Sequence, residues 1–128
     1  MAKKSSRKPT IHLTHRALQD IAGIEAHSVE QFGKRVTDRY ISKLEAGVQR
    51  IAENPELLRA EAMFHASLRV YRIEKHLRAC ETGIAGKIII LTVLHASMDV
   101  PSRLAELEPN LSLDIELLLR ELARATRR

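Results

Sequence analysis

Tryptophan is absent from the 128 residues, cysteine occurs once, and aromatic side chains make up only 3% of the chain. With one thiol, Cys80, no internal disulfide and no thiolate metal cluster can form. Its place among strand residues suits packing rather than reactivity. So few aromatics supply poor platforms for stacking unpaired bases. No run of about eighteen apolar residues is present to cross a bilayer. The basic start leads into Pro9 and polar positions rather than into the apolar stretch of a secretory leader. The expectation is a cytoplasmic protein with no membrane partner. Histidines 12, 15, 27, 65, 76 and 95 lack the spacing that puts two ligands on one helical face, so no metal site is expected. A glycine-flanked nucleophile, a phosphate loop and a dinucleotide fingerprint are also missing, which leaves no ordinary enzyme site and no cofactor.

What is present is a chain long enough for one domain with its own core, 45% of it hydrophobic. The net charge of +5 sits at the ends. Lys3, Lys4, Arg7 and Lys8 precede the domain and Arg124, Arg127 and Arg128 follow it; removing these seven cations from +5 leaves −2 for Thr10 to Ala123. A slightly acidic body with short basic arms reads as a solubilised domain rather than a nucleic-acid binder. Residues 1–9 read as a disordered basic tail.

Thr10 to Thr14 alternates as a short strand, and Thr14 is placed to cap a first helix. Ala17, Ile21, Ile24, Ser28 and Phe32 form its apolar stripe, widened by Leu18. Gly33 breaks it. A second helix carries Val36, Tyr40, Leu44, Val48 and Ile51, and stops at Asn54-Pro55, because proline disfavours helical geometry in the preceding residue. Two helices joined by one tight break fold back as a hairpin. After an irregular connection from Glu56 to Ala66 come three strands, Ser67 to Ile73, His76 to Thr82 and Lys87 to Leu94. The first two alternate; the third, Ile88-Ile89-Ile90-Leu91, is nearly continuous, as in a strand covered on both faces. Pro109 is expected to close a short helical turn through Leu104 and Leu107. A last helix then carries Leu111, Ile115, Leu118 and Leu122, whose stripe must be buried against its own sheet, a second copy in a homodimer, or another protein.

The order of strand, helix hairpin and antiparallel meander resembles the RelE/ParE toxin superfamily, more narrowly its ParE, or plasmid-stabilisation, branch. The residues that carry the likeness are Ala17-Leu18-Gln19-Asp20-Ile21 with Ile24, Phe32-Gly33, Tyr40, Leu44, Ile51, Asn54-Pro55-Glu56-Leu57 with Arg59, Leu68-Arg69-Val70-Tyr71-Arg72-Ile73, and Val93-Leu94-His95 followed by Met98-Asp99. It spans about Thr10 to Leu107. Three departures are visible: Leu58 stands where the family has glycine, Ser97 replaces a basic residue, and the last helix runs past the usual end. The implied fold is α+β, with a toxin domain at 10–107 and a helical extension at 108–128.

The resemblance implies a toxin of a type II toxin–antitoxin pair that acts by binding. Its expected target is DNA gyrase, its neutraliser a cognate antitoxin, and its contact with DNA only indirect, through the antitoxin complex. The contact residues it nominates are Arg59, Arg69, Tyr71, Arg72, His95, Met98 and Asp99, with Tyr71 expected to be exposed beside the arginines. Ribosome-dependent mRNA cleavage, the other activity of the superfamily, would need a proton acceptor and cations at a phosphorane. Its candidates are Arg69, Arg78 and His95, drawn from a wider strand set with Arg72, Lys75 and His76, but no tyrosine or histidine follows His95. A structural His95 bonded to Asp99 is the plainer reading, and a non-toxic interaction module is a third.

Overall fold

The computed structural model describes residues 9–60 and 67–126. Lys3, Lys4, Arg7, Lys8, Arg127, Arg128 and the later part of the 56–66 connection lie outside the described residues. The elements are β1 (Thr10–Leu13), α1 (His15–Glu53), a 3-10 turn (Pro55–Leu57), β2 (Arg59–Ala60), β3 (Leu68–Ile73), β4 (His76–Glu81), β5 (Lys87–His95) and α2 (Val100–Thr126). They form an α+β fold with one five-stranded sheet in the order β1-β5-β4-β3-β2.

Thr14 caps α1 as its sequence position implied. Its Oγ1 accepts from the Ala17 N–H at 3.1 Å and donates to the Leu91 carbonyl at 2.9 Å, so one buried hydroxyl both starts the helix and fastens it to β5. The helical run is broken at Gly33, whose φ of 85° and ψ of 169° suit a residue without Cβ. The chain folds back there. Thr37 Oγ1 donates to Ser28 Oγ at 2.8 Å, although nine residues of straight helix would separate them by roughly 13 Å. The second arm stops at Asn54, whose N–H bonds the Arg50 carbonyl, and Pro55 begins the 3-10 turn.

The hairpin covers one face of the sheet. Ala17, Ile51, Leu58, Cys80, Ile88, Ile90 and Val93 make its core, joined by Ile21, Ile24, Val48 and Tyr71. At Gly47 helix and strand approach so closely that a Cβ would fall 1.9 Å from Ile73 Cδ1. Phe32 is 64% and Val36 46% exposed, and Leu18 is also exposed, so these three do not join the buried part of the apolar stripes expected of them.

β5 is buried on both faces, as its continuous apolar run implied. It pairs antiparallel with β4 and parallel with β1, the N-terminal strand, so the sheet is mixed at that edge. A bulge between Ala79 and Cys80 shifts the β4–β5 register, passing from Ala79↔Thr92 to Cys80↔Ile90. Within the irregular connection, Arg59–Ala60 adds a two-residue edge strand on β3.

α2 departs from expectation at Pro109. It runs unbroken through Pro109, and the expected 107/108 boundary falls inside it. Proline removes one helical N–H, but Pro109 lies on the exposed side, while Leu104, Leu107, Leu111 and Leu118 on both sides of it are anchored together. Of the three covers weighed for its apolar stripe, the chain's own sheet is the one found. These leucines, with Ile115, Leu119 and Leu122, pack on Leu68, Ala79, Ile89, Leu91 and Leu94, on the sheet face opposite the hairpin. That face is therefore not open. The stripe of Leu111, Ile115, Leu118 and Leu122 is spent on the chain's own sheet, so it is not free to build a homodimer.

Candidate interaction surface

Strand alternation sorts the nominated residues before any contact is considered. Tyr71 shares the hairpin face with Arg69 and Ile73, while Arg72 shares the other with Leu68 and Val70; Arg59, paired with Val70, lies on that second face too. Arg69 lines an open cleft of about 430 Å³ with Pro55, Glu56, Leu58, Thr82 and Lys87. Tyr71 is half-buried against the hairpin core and its hydroxyl accepts from Arg50 Nη1 at 3.5 Å, which corrects the expectation of an exposed ring. Arg72 is exposed and its Nε donates to the Glu74 carbonyl at 2.8 Å.

At the end of the sheet formed by the β3–β4 turn, His76 and His95 are paired across the strands, with ring centroids 5.2 Å apart. Tyr40, from the second arm of the hairpin, completes the group. The Lys75 N–H donates to Tyr40 Oη at 3.2 Å, and Tyr40 Oη lies 2.6 Å from His76 Nδ1. Tyr40 Oη and His76 Nδ1 thus share a hydrogen bond whose direction is set by the imidazole tautomer. Burial, then the neighbouring His95, then Arg78 hold the His76 pKa below the usual 6.5. His95 is exposed. Its Nδ1 accepts from the Ser97 N–H at 3.1 Å and sits 2.7 Å from Ser97 Oγ, so its partner is Ser97 and not Asp99. Asp99 instead caps α2, accepting from Ser102 Oγ at 2.9 Å. Met98 is 46% exposed beside it.

Arg78 is 1% exposed. One guanidinium nitrogen donates to the Leu44 carbonyl at 2.9 Å, while Nε and Nη1 find no partner among the described residues. Burial pulls its pKa down. A side chain enclosed in this way cannot stabilise a phosphorane on bound RNA, so the set Arg69, Arg78 and His95 does not assemble. The remaining two are also far apart: Arg69 is level with Cys80 and His95 with His76, four positions away, which is roughly 13 Å along the strands. Burial pushes the Cys80 thiol up to about 12, in keeping with packing.

Two residues that sequence reasoning placed only in a motif or a stripe have clear tasks. Asp20 Oδ2 accepts from both Thr92 Oγ1 and the Val93 N–H, the backbone donor just past the β5 bulge. Tyr40 links the hairpin to the paired histidines. The signal for both was a polar residue on an otherwise apolar helical face.

The molecule is thus a three-layered α+β domain that offers side chains for docking rather than a constellation for bond cleavage. The family model described as the ParE toxin of the type II toxin–antitoxin system parDE matches residues 11–100. Toxin ParE of Escherichia coli is 31% identical over 94 residues, covering 73% of this chain and 91% of that protein. The solved chromosomal ParDE toxin–antitoxin system from P. aeruginosa contains a chain with the same fold, at a TM-score of 0.62 and 15% identity, over 72% of this chain and all of that one. The chain belongs to the ParE toxin family of type II toxin–antitoxin systems. It is accordingly a toxin and not an enzyme. Among the described residues no helix is long and apolar enough to cross a membrane.

Proposed function

We propose that this ParE toxin arrests growth by engaging DNA gyrase in the cytoplasm and that a cognate antitoxin neutralises it. The observation that carries this reading is the match to the family across residues 11–100, which includes every nominated contact residue. The surface geometry supports it. Arg72, His95, Met98 and Asp99 are exposed at one end of the sheet, and Arg59 is exposed at its β2 edge. Fixed hydrogen bonds around Tyr40, His76 and Ser97 hold that end in one arrangement, which lowers the ordering cost of docking. Arg59, Arg72 and Arg69 offer cations to carboxylates of a partner.

The experiment is a supercoiling and DNA-cleavage assay with purified gyrase, run beside a translating extract. Gyrase inhibition or trapped cleavage complexes, relieved by adding the antitoxin encoded by an adjacent small reading frame, are expected. Intact gyrase activity together with cut mRNA would replace this reading by the ribosomal one. No growth defect on induction and no effect in either assay would leave an interaction module.

A further inference from the structure

We infer that the outer face of α2, the one turned away from the sheet, is a self-association surface. Two copies of the chain pack these helices antiparallel about a two-fold axis, leucine against leucine, with the acidic end of one stripe on the basic end of the other. This pairing is independent of the gyrase reading.

The solvent side of α2 is not uniformly polar. Leu113 and Leu117 are 56% and 51% exposed; they stand one turn apart, and roughly half a turn around the helix from the buried Leu104, Leu111 and Leu118. One exposed leucine is ordinary, but two on the same ridge make an apolar strip. The strip lies in this chain's own extension, because the family match ends at residue 100, ahead of both leucines.

The residues around the strip select the occupant. On the same stripe Glu106 lies seven residues before Leu113 and Arg124 seven after Leu117, while Asn110 lies three before and Arg120 three after; all four are exposed. A two-fold axis through the middle of the leucine pair therefore sets Leu113 opposite Leu117 of the second copy, Asn110 opposite Arg120, and Glu106 opposite Arg124. Each pairing then occurs twice, as an interface that uses one patch on both copies requires. A parallel pair would set Glu106 on Glu106 and Arg124 on Arg124, so the charge order rejects it. The groups have capacity to spare. Arg124 has no ion pair among the described residues, and Arg120 reaches Glu116 only at 3.9 Å. Glu106 accepts from Arg103 at 3.0 Å through one carboxylate oxygen, which leaves the other for the arginine opposite. The 27 residues of α2 span about 40 Å. Contact along one stripe of that length buries less than the roughly 800 Å² per partner of a stable complex, so the dimer is reversible and forms in the micromolar range. The hairpin layer, on the far side of the sheet, takes no part.

The test is sedimentation velocity on the full chain from about 1 to about 300 μM. Wild-type protein should pass from the 14.5 kDa monomer to a dimer across that range, less readily at high salt. Leu113→Asp combined with Leu117→Asp should raise the dimer dissociation constant at least about tenfold and leave the thermal midpoint unchanged, since both positions face solvent. Glu106→Arg and Arg124→Glu, made singly, should each raise it about fivefold, and the two made together should return it to within about twofold of wild type. That recovery is the readout a mere disturbance of the helix would not give. The proposal fails if the wild-type chain stays monomeric throughout, if the leucine variant associates as well as wild type, or if the double charge reversal associates no better than the single ones.

Discussion

On the hairpin face of the sheet, polar side chains cross the layer boundary: Asp20 to Thr92 and Val93, Thr14 to Leu91, Arg78 to Leu44, Tyr40 to His76. On the opposite face, leucines of α2 lie on aliphatic strand residues, and the ion pairs run past the sheet to the start of α1. The two layers are thus specified in different ways. Directional bonds admit one register, because a shifted hairpin would leave buried donors unpaired. Leucine-on-aliphatic contact is stabilising but has no bond direction of its own. The hairpin face is held by directed polar bonds, and the α2 face by apolar contact within the chain.

The largest expected effect tests that contrast directly. Leu44→Ala on the hairpin side and Leu104→Ala on the α2 side each remove a fully buried leucine and should cost about 3 kcal/mol by chemical denaturation. Their exchange patterns should differ, Leu44→Ala loosening the whole sheet and Leu104→Ala loosening residues 100–126 first. Next, Asp20→Ala leaves the Thr92 hydroxyl and the Val93 N–H without their acceptor, a loss of roughly 2 kcal/mol concentrated around the bulge. Smaller and opposite in sign, Arg78→Met replaces a buried guanidinium that makes one described bond with an apolar chain of similar length. It should raise stability by about 1 kcal/mol, read as a higher Tm.

The mildest effect is a pH dependence confined to the hairpin face. The folded pKa of His76 lies below 6.5, through burial, His95 and Arg78. The unfolded chain therefore binds more protons between the two values, and the stability present above pH 6.5 is lost as pH falls through the folded pKa. His76→Gln should flatten that slope in denaturation midpoints measured from pH 7.5 to 5. An unchanged slope would show that the Tyr40–His76 contact does not govern it.

The capping threonine, the Gly33 break, the Asn54-Pro55 stop and the three meander strands were legible because each depends on a few neighbouring residues. So was the family, through motif residues such as Asp20 and Tyr40, although not their tasks, which need partners 73 and 36 positions away. The parallel pairing of β1 with β5, the bulge and the two-residue β2 escaped because register is settled between segments distant in sequence. Pro109 misled because a local rule was overridden by anchoring on both of its sides. The candidate contact residues were readable as types; Arg78 and Tyr71 were misjudged because residue type alone cannot tell an enclosed side chain from an open one.

Local preferences, which act over a few bonds, set the main helical and extended stretches of this chain and most of their ends, with β2 and the run of α2 through Pro109 as the exceptions. Which layer covers which face was settled by long-range packing. The apolar run of β5 is equally suited to a hairpin above and a helix below, and burial, being non-directional, is assigned by what else the chain can bring to each side.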